Sequence, residues 1–246
     1  MSLLDVIENM KHYLVRNPIL MEVVMTVSAV TALSALMIHW LPASHATLAV
    51  AILFLAATWW HVWRKEDEVV RQAGLQVGGM ALSAPLEMWS LGAALFRSIV
   101  WALGWMLVIA GPFMIGWRVW WRVENTFVFS APPLECAELL ASQLILVAFP
   151  EEAFYRGYVQ SRLEQVWSPC WSVGCAKVGP SIWVTSVMFA VAHVVAIPFP
   201  ERLAVFFPSL LFGWLRARLG GIGAAVWLHA ACNCYSDMLG RGYGLY

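Results

Sequence analysis

Charge is the first thing this sequence is short of. Only 12% of its 246 residues are Asp, Glu, Lys or Arg, where a soluble globular domain carries about 25%. The two signs cancel to a formal net charge of zero, so nothing draws the chain to nucleic acid or to another polyanion. Cysteine is sparse and unpatterned. Cys136, Cys170, Cys175, Cys232 and Cys234 contain no CxxC pair, which argues against a zinc module or a disulfide framework. They read as small apolar fillers. Internal repeats and low-complexity segments are missing too. Lys11 and Arg16 precede an apolar run at 19–41 that is too long for the hydrophobic stretch of a signal peptide, so it reads as an uncleaved first membrane helix.

What the chain has instead is oil. Apolar residues make up 61% of it, and there are fifteen tryptophans. Seven stretches are candidate membrane spans: 19–41, 46–63, 98–117, 136–158, 181–198, 201–217 and 221–239. Lipid offers no hydrogen bonds to a bare backbone, so these are expected to be helices. The sixth is short and carries Pro208, which predicts a kink or a re-entrant path. Tryptophans at 59/60/63, 101/105 and 117/120/121 fall where apolar runs end, the position of interfacial aromatic belts. Arg64–Arg71 is the one dense charge cluster and reads as a solvated connector. Residues 76–95 are moderately apolar, with Gly78, Gly79, Pro85 and Glu87, and read as an interfacial segment or an eighth span. The expected fold is therefore all-α, a polytopic membrane bundle of 7–8 transmembrane helices. Alternate connectors hold ten and four Lys/Arg residues, which predicts a cytoplasmic N-terminus.

Three polar islands interrupt the oil. The first is Phe149-Pro150-Glu151-Glu152-Ala153-Phe154-Tyr155-Arg156. On a helix Glu152 and Arg156 face one another four residues apart, while Glu151 points about 100° away. One glutamate can then be neutralised while the other is left free as a general base. The alternative is a surface salt bridge at a helix end. The second island is His193, with Phe189 one turn before it. Taken alone, His193 fits a hydrogen-bonded packing residue as well as a catalyst, and Phe189 reads as packing. The third is His229 and Asn233, which share a helix face. They could hold a developing oxyanion or form a polar clamp between helices. An ionisable group at membrane depth costs at least ~2.5–3.5 kcal/mol, so Glu151, His193, His229 and Asn233 are expected to meet. Helix rise puts Glu151 ~10 Å, His193 ~18 Å and His229 ~12 Å from span ends on the cytoplasmic side.

The set EExxxR, FxxxH and HxxxN, in this order over residues 135–240, resembles the CPBP family of type II CAAX prenyl endopeptidases and bacteriocin-processing or immunity-type membrane proteins. That resemblance implies an all-helical membrane bundle acting as a glutamate-type intramembrane endopeptidase without a cofactor or metal. It implies Glu151 as the base activating water and His193 as the group that holds and polarises that water. His229 and Asn233 would be the oxyanion donors, with Glu152 and Arg156 in support. It also implies a membrane-associated or lipidated protein as substrate, cut near its C-terminus. The chain looks like a bacterial inner-membrane member, similar to the myxosortase-like group that trims sorting tails. On this reading residues 1–134 are N-terminal membrane helices and a connector, and 135–246 are the catalytic core. Rival readings are a zinc protease using Glu151, His193 and His229, a non-catalytic scaffold or immunity-type protein, and a small transporter.

Overall fold

The computed structural model describes residues 16–128 and 132–245. Lys11, used above for orientation, and the outermost residues of both expected units lie outside them.

Among the described residues, eight α-helices make up the bundle. They are α1 (Pro18–Trp40), α2 (Ala43–Trp63), α3 (Asp67–Gln72), α4 (Met88–Trp121), α5 (Pro133–Val166), α6 (Pro180–Ala196), α7 (Phe206–Leu219) and α8 (Gly223–Gly242). Seven of them match the seven expected spans, and α3 is a short turn of helix in the charged connector. Four are long and apolar enough to cross a membrane: α1, α2, α4 and α5. Their starts follow simple chemistry. Pro18, Pro133 and Pro180 open α1, α5 and α6, where a proline's missing N–H has no partner to lose. The left-handed Gly220 closes α7 at φ 70°, a backbone conformation glycine adopts without a steric penalty.

Residues 76–95 do not form an eighth span. Val77–Gly79 is a single 3-10 turn with Gly78 and Gly79 at φ 64° and 104°. The chain then runs irregularly to Glu87, and its last part opens α4. Asp67 pins this loop by accepting hydrogen bonds from the Ser83 backbone N–H at 3.1 Å and hydroxyl at 3.0 Å. Pro208 does not kink the sixth expected span either. It falls in the first turn of α7, after a 3-10 turn at Pro200–Val205, and the first turn has no backbone hydrogen bond for it to break. A small antiparallel hairpin, Trp171–Val173 with Ala176–Val178, joins α5 to α6.

Helix α5 is the axis of the fold. Every residue from Glu152 to Gln160 is buried. Around it pack Leu20, Val23, Val27 and Val30 of α1, Phe54 of α2, Phe189 of α6, and Val226 and Ala230 of α8. A second cluster joins Ala102 of α4 to Phe212 and Leu215 of α7 and Leu228 of α8. Side chains tie α5 to α7 at three levels: Arg156 to Ser209, Gln160 to Gly213, and Glu164 to Arg216. The paired residues rise together, so the two helices run parallel. A Cβ on Gly213 would come within 2.9 Å of Ile182 and 3.0 Å of Gln160 Oε1, so α5, α6 and α7 need that glycine to approach. The tryptophans divide. Trp59, Trp60, Trp120 and Trp121 stay exposed as an interfacial belt requires, but Trp101 and Trp105 pack on Trp214 at 6.0 and 5.5 Å between centroids.

Candidate active site

The first island sits where α5 changes its winding. Glu151 and Glu152 occupy a short α-helical stretch, Phe149–Glu152, between wider π-helical turns at Gln143–Ala148 and Ala153–Gln160. Such turns are rare and concentrate at functional sites, because the extra residue per turn re-aims side chains. Here it leaves the two neighbouring glutamates in different surroundings.

Glu152 is fully buried and is engaged through one oxygen, while its Oε2 has no partner. Its Oε1 accepts from Arg156 Nη1 at 3.0 Å and lies 2.8 Å from His229 Nδ1. Arg156 is equally buried. Its Nη2 donates to Ser209 Oγ at 2.7 Å and to the Ser209 carbonyl at 3.2 Å. The guanidinium lies over the rings of Phe189, at 4.6 Å, and Phe212, at 5.2 Å. Both side chains are 0% exposed, so the pair is a buried ion pair and not the surface salt bridge that the sequence left open.

Glu151 faces the other way, with its side chain 15% exposed. Its Oε2 stands 3.8 Å from His193 Nε2 and 3.9 Å from His229 Nε2, with no direct hydrogen bond. Each histidine is anchored from behind. His193 Nδ1 meets the Phe189 carbonyl at 2.9 Å, and that acceptor requires the proton to be on Nδ1. His229 Nδ1 likewise donates to the Glu152 carboxylate. The His229 ring stacks on Phe212 at 5.1 Å and 14°. Phe189 packs, as expected: it is buried, with its ring 4.3 Å from His193 and 4.9 Å from Tyr155. Two imidazole Nε2 atoms and one carboxylate oxygen therefore converge from three helices.

Asn233 lies one turn beyond His229 on α8, and its amide is engaged elsewhere: Nδ2 donates to Gln143 Oε1 at 2.8 Å. The structure thus brings together Glu151, Glu152, Arg156, His193 and His229, and pairs Asn233 with Gln143. Gln143, Ser209 and Phe212 were not picked out from the sequence. Gln143 had a signal, a lone amide inside an apolar run, whereas Ser209 and Phe212 have none without a third dimension.

The depth of the site departs from the sequence reading. Glu151 was expected ~10 Å from its helix end, but α5 continues to Val166 and puts it ~22 Å away. His193 is three residues from the end of α6. The cluster therefore sits deep in the bundle, towards the end where α6 hands over to α7. Among the described residues no group of three or more His, Cys, Asp and Glu is arranged to hold a metal ion.

Apolar helices long enough to cross a bilayer, closed around a carboxylate and two anchored imidazoles, define a class, the multi-pass membrane proteases. Residues 133–235 match the family model described as Type II CAAX prenyl endopeptidase Rce1-like, so this segment is similar to the CPBP family. The matched segment contains all six residues singled out from the sequence, while α1 to α4 precede it. No match was found among curated proteins or among solved structures.

Proposed function

We propose that the protein is a glutamate-type intramembrane endopeptidase that hydrolyses a peptide bond near the C-terminus of a membrane-associated or lipidated protein. The observation that carries this reading is the convergence of His193 Nε2 and His229 Nε2 on Glu151 Oε2, at 3.8 and 3.9 Å. Those separations are too long for direct hydrogen bonds and suit one water held between three polar atoms. Glu151 takes a proton from that water as its oxygen attacks the scissile carbonyl. His193, whose Nδ1 proton is committed to a backbone carbonyl, offers the Nε2 lone pair that orients the water. His229 is backed by the Glu152 carboxylate, which compensates the charge the ring takes on when Nε2 carries a proton and donates it to the oxyanion. Asn233 is the second donor. Its amide has two N–H groups, and Gln143 uses one of them. Arg156 balances Glu152 and keeps it from competing for the water.

In this reading residues 1–134 form the N-terminal membrane unit and 135–246 the catalytic core, in a bacterial inner membrane with a cytoplasmic N-terminus. The test compares membrane proteins from cells carrying the wild type or Glu151→Gln, by mass spectrometry of peptide ends. New C-terminal ends present only with the wild type are expected. Equal peptide ends at equal protein levels would favour the non-catalytic scaffold. Activity lost to a chelator and restored by zinc would favour the zinc protease.

A further inference from the structure

A cavity of about 190 Å³ lies between the connector after α3, the first third of α4 and the turn that joins α7 to α8. The reaction above gives it no task. Much of its lining is apolar: Leu91 and Leu95 of α4, Phe149 of α5, and Val226 and Trp227 of α8. Its polar side chains are Gln76, Arg97 and Ser98, and no Asp or Glu lines it among the described residues. Ser98 is occupied, since its hydroxyl donates to the Ala94 carbonyl at 2.7 Å. The other two have capacity to spare. Gln76 Nε2 donates to the Gly220 carbonyl at 3.0 Å, which fixes the side chain and leaves its Oε1 buried without a partner. Arg97 Nη2 reaches the Leu219 carbonyl at 3.5 Å, and the guanidinium has no carboxylate partner among the described residues. One cavity therefore carries an unpaired cation and an acceptor without a donor.

The level of Arg97 says what surrounds it. Arg97 and Arg118 bracket residues 98–117 of α4. That stretch rises ~30 Å at 1.5 Å per residue, the thickness of a hydrocarbon core. Arg97 thus stands at the depth of lipid headgroups, on the end of the bundle that carries the charged connector. Leu95 both lines the cavity and is exposed, so the opening continues onto the apolar outer side of α4, where Leu103 and Leu107 are also exposed. At about 30 Å³ per water the space holds roughly six waters, which suits a phosphate with a short polar group and not a whole lipid.

We propose that this cavity seats the headgroup of one bilayer phospholipid, of the kind whose headgroup ends in an N–H or O–H donor. The phosphate takes two parallel hydrogen bonds from the Arg97 guanidinium, whose planar fork matches it. The donor end of the headgroup satisfies Gln76 Oε1. The acyl chains stay outside, along Leu95 and the apolar side of α4. Basic pockets between membrane helices take lipid headgroups in this way. The seated lipid bridges α4, α5 and α8 and touches Phe149 and Val226, two residues before Glu151 and three before His229. The site stands whether or not Glu151 acts as a base.

The test uses the purified full chain in detergent, stripped of lipid, with bound lipid read by native mass spectrometry. The probes are dioleoyl phosphatidylethanolamine, dioleoyl phosphatidylcholine, dioleoylglycerol and inorganic phosphate. Wild type is expected to hold phosphatidylethanolamine roughly 10- to 100-fold more tightly than Arg97→Gln does, the scale of hydrogen bonds to a charged group. Arg97 is exposed, so its replacement leaves the fold intact. Phosphatidylcholine, whose ammonium has no N–H, is expected to bind wild type roughly 2- to 10-fold more weakly, the scale of one further hydrogen bond. Gln76→Leu is expected to erase that difference. Ala94→Phe fills the cavity with both polar groups in place and is expected to abolish binding. Equal affinity of wild type and Arg97→Gln overturns the proposal. Binding of dioleoylglycerol as tight as that of phosphatidylethanolamine would make the cavity a slot for any lipid tail, a substrate's included, and would overturn it too. Inorganic phosphate that displaces the lipid completely and binds as tightly would make free phosphate the ligand and overturn the assignment to lipid.

Discussion

Glu151 and Glu152 are neighbours in the chain and sit in opposite surroundings. Glu152 shares one oxygen between Arg156 and His229 and has no exposed surface, while Glu151 looks onto two imidazoles. Removing one partner of a buried ion pair leaves the other charge stranded, at a cost of about 3–5 kcal/mol. Arg156→Ala is therefore expected to lower both membrane abundance and the thermal unfolding midpoint in detergent. An unchanged midpoint would show that Glu152 does not depend on its partner. His229→Ala and Asn233→Ala are expected to cut turnover roughly 10²- to 10³-fold each while the protein stays folded. Steady-state kinetics on a cleaved peptide checks this, and a defect confined to KM would remove them from the oxyanion role. The pairing of Glu152 with Arg156 was legible because both residues lie on one helix, four apart. Ser209, which accepts from the arginine's other terminal nitrogen, was not, because it comes from a helix 53 residues away.

At the scale of the element, α5 shows how far hydropathy reads a helix. The apolar pattern predicts 136–158, and the helix runs on to Val166. Arg162 and Glu164 look like the end of a span in one dimension. In three dimensions they are answered by Glu22 of α1 and Arg216 of α7, so the helix continues through them. The π turns around Glu151 were equally invisible, since no residue type encodes them. Close packing also sets this helix against the connector. A Cβ on Gly157 would come within 2.6–2.7 Å of three side-chain carbons of Leu75, a fully buried residue. Gly157→Ala is expected to destabilise by about 1–3 kcal/mol through overpacking. Combining it with Leu75→Ala should cost less than the two single changes added together. Thermal unfolding of the three variants measures this, and strict additivity would mean that the two residues do not compete for space.

For the whole molecule, the sequence read well where the signal was long. All seven apolar stretches became helices, and the segment of uncertain character, 76–95, resolved into a pinned loop and the start of α4. The hairpin at 171–178 escaped, because strands of three residues carry no periodicity to read. That hairpin now offers a test of orientation. Cys170 and Cys175 flank its first strand, and both are exposed. With a cytoplasmic N-terminus the hairpin faces the cytoplasm. A membrane-impermeant maleimide should therefore modify these cysteines in opened membranes and spare them in intact cells, as read by peptide mapping. Labelling in intact cells would turn the molecule over. The N-terminal helices also gain a purpose that composition does not reveal. Glu22, His61, Tyr158 and Arg162 form one polar knot between α1, α2 and α5, so α1 and α2 brace the helix that carries Glu151.

The bundle joins helices of very unequal reach. At 1.5 Å per residue, the 34 residues of α4 and of α5 extend ~51 Å, while the 17 of α6 extend ~25 Å. A hydrocarbon layer is ~30 Å thick, so it is too thin for one side of this protein and too thick for the other. Lipid beside α6 must thin to meet it, at a cost of fractions of a kcal/mol per Å, while the long helices tilt. Thinning at the end of α6 that carries His193 would give water and a polar peptide bond the shortest distance to travel. Bilayer thickness thereby becomes part of the enzyme's working conditions. Proteoliposomes made from shorter-chain lipids should turn over faster than those made from longer-chain lipids of the same headgroup.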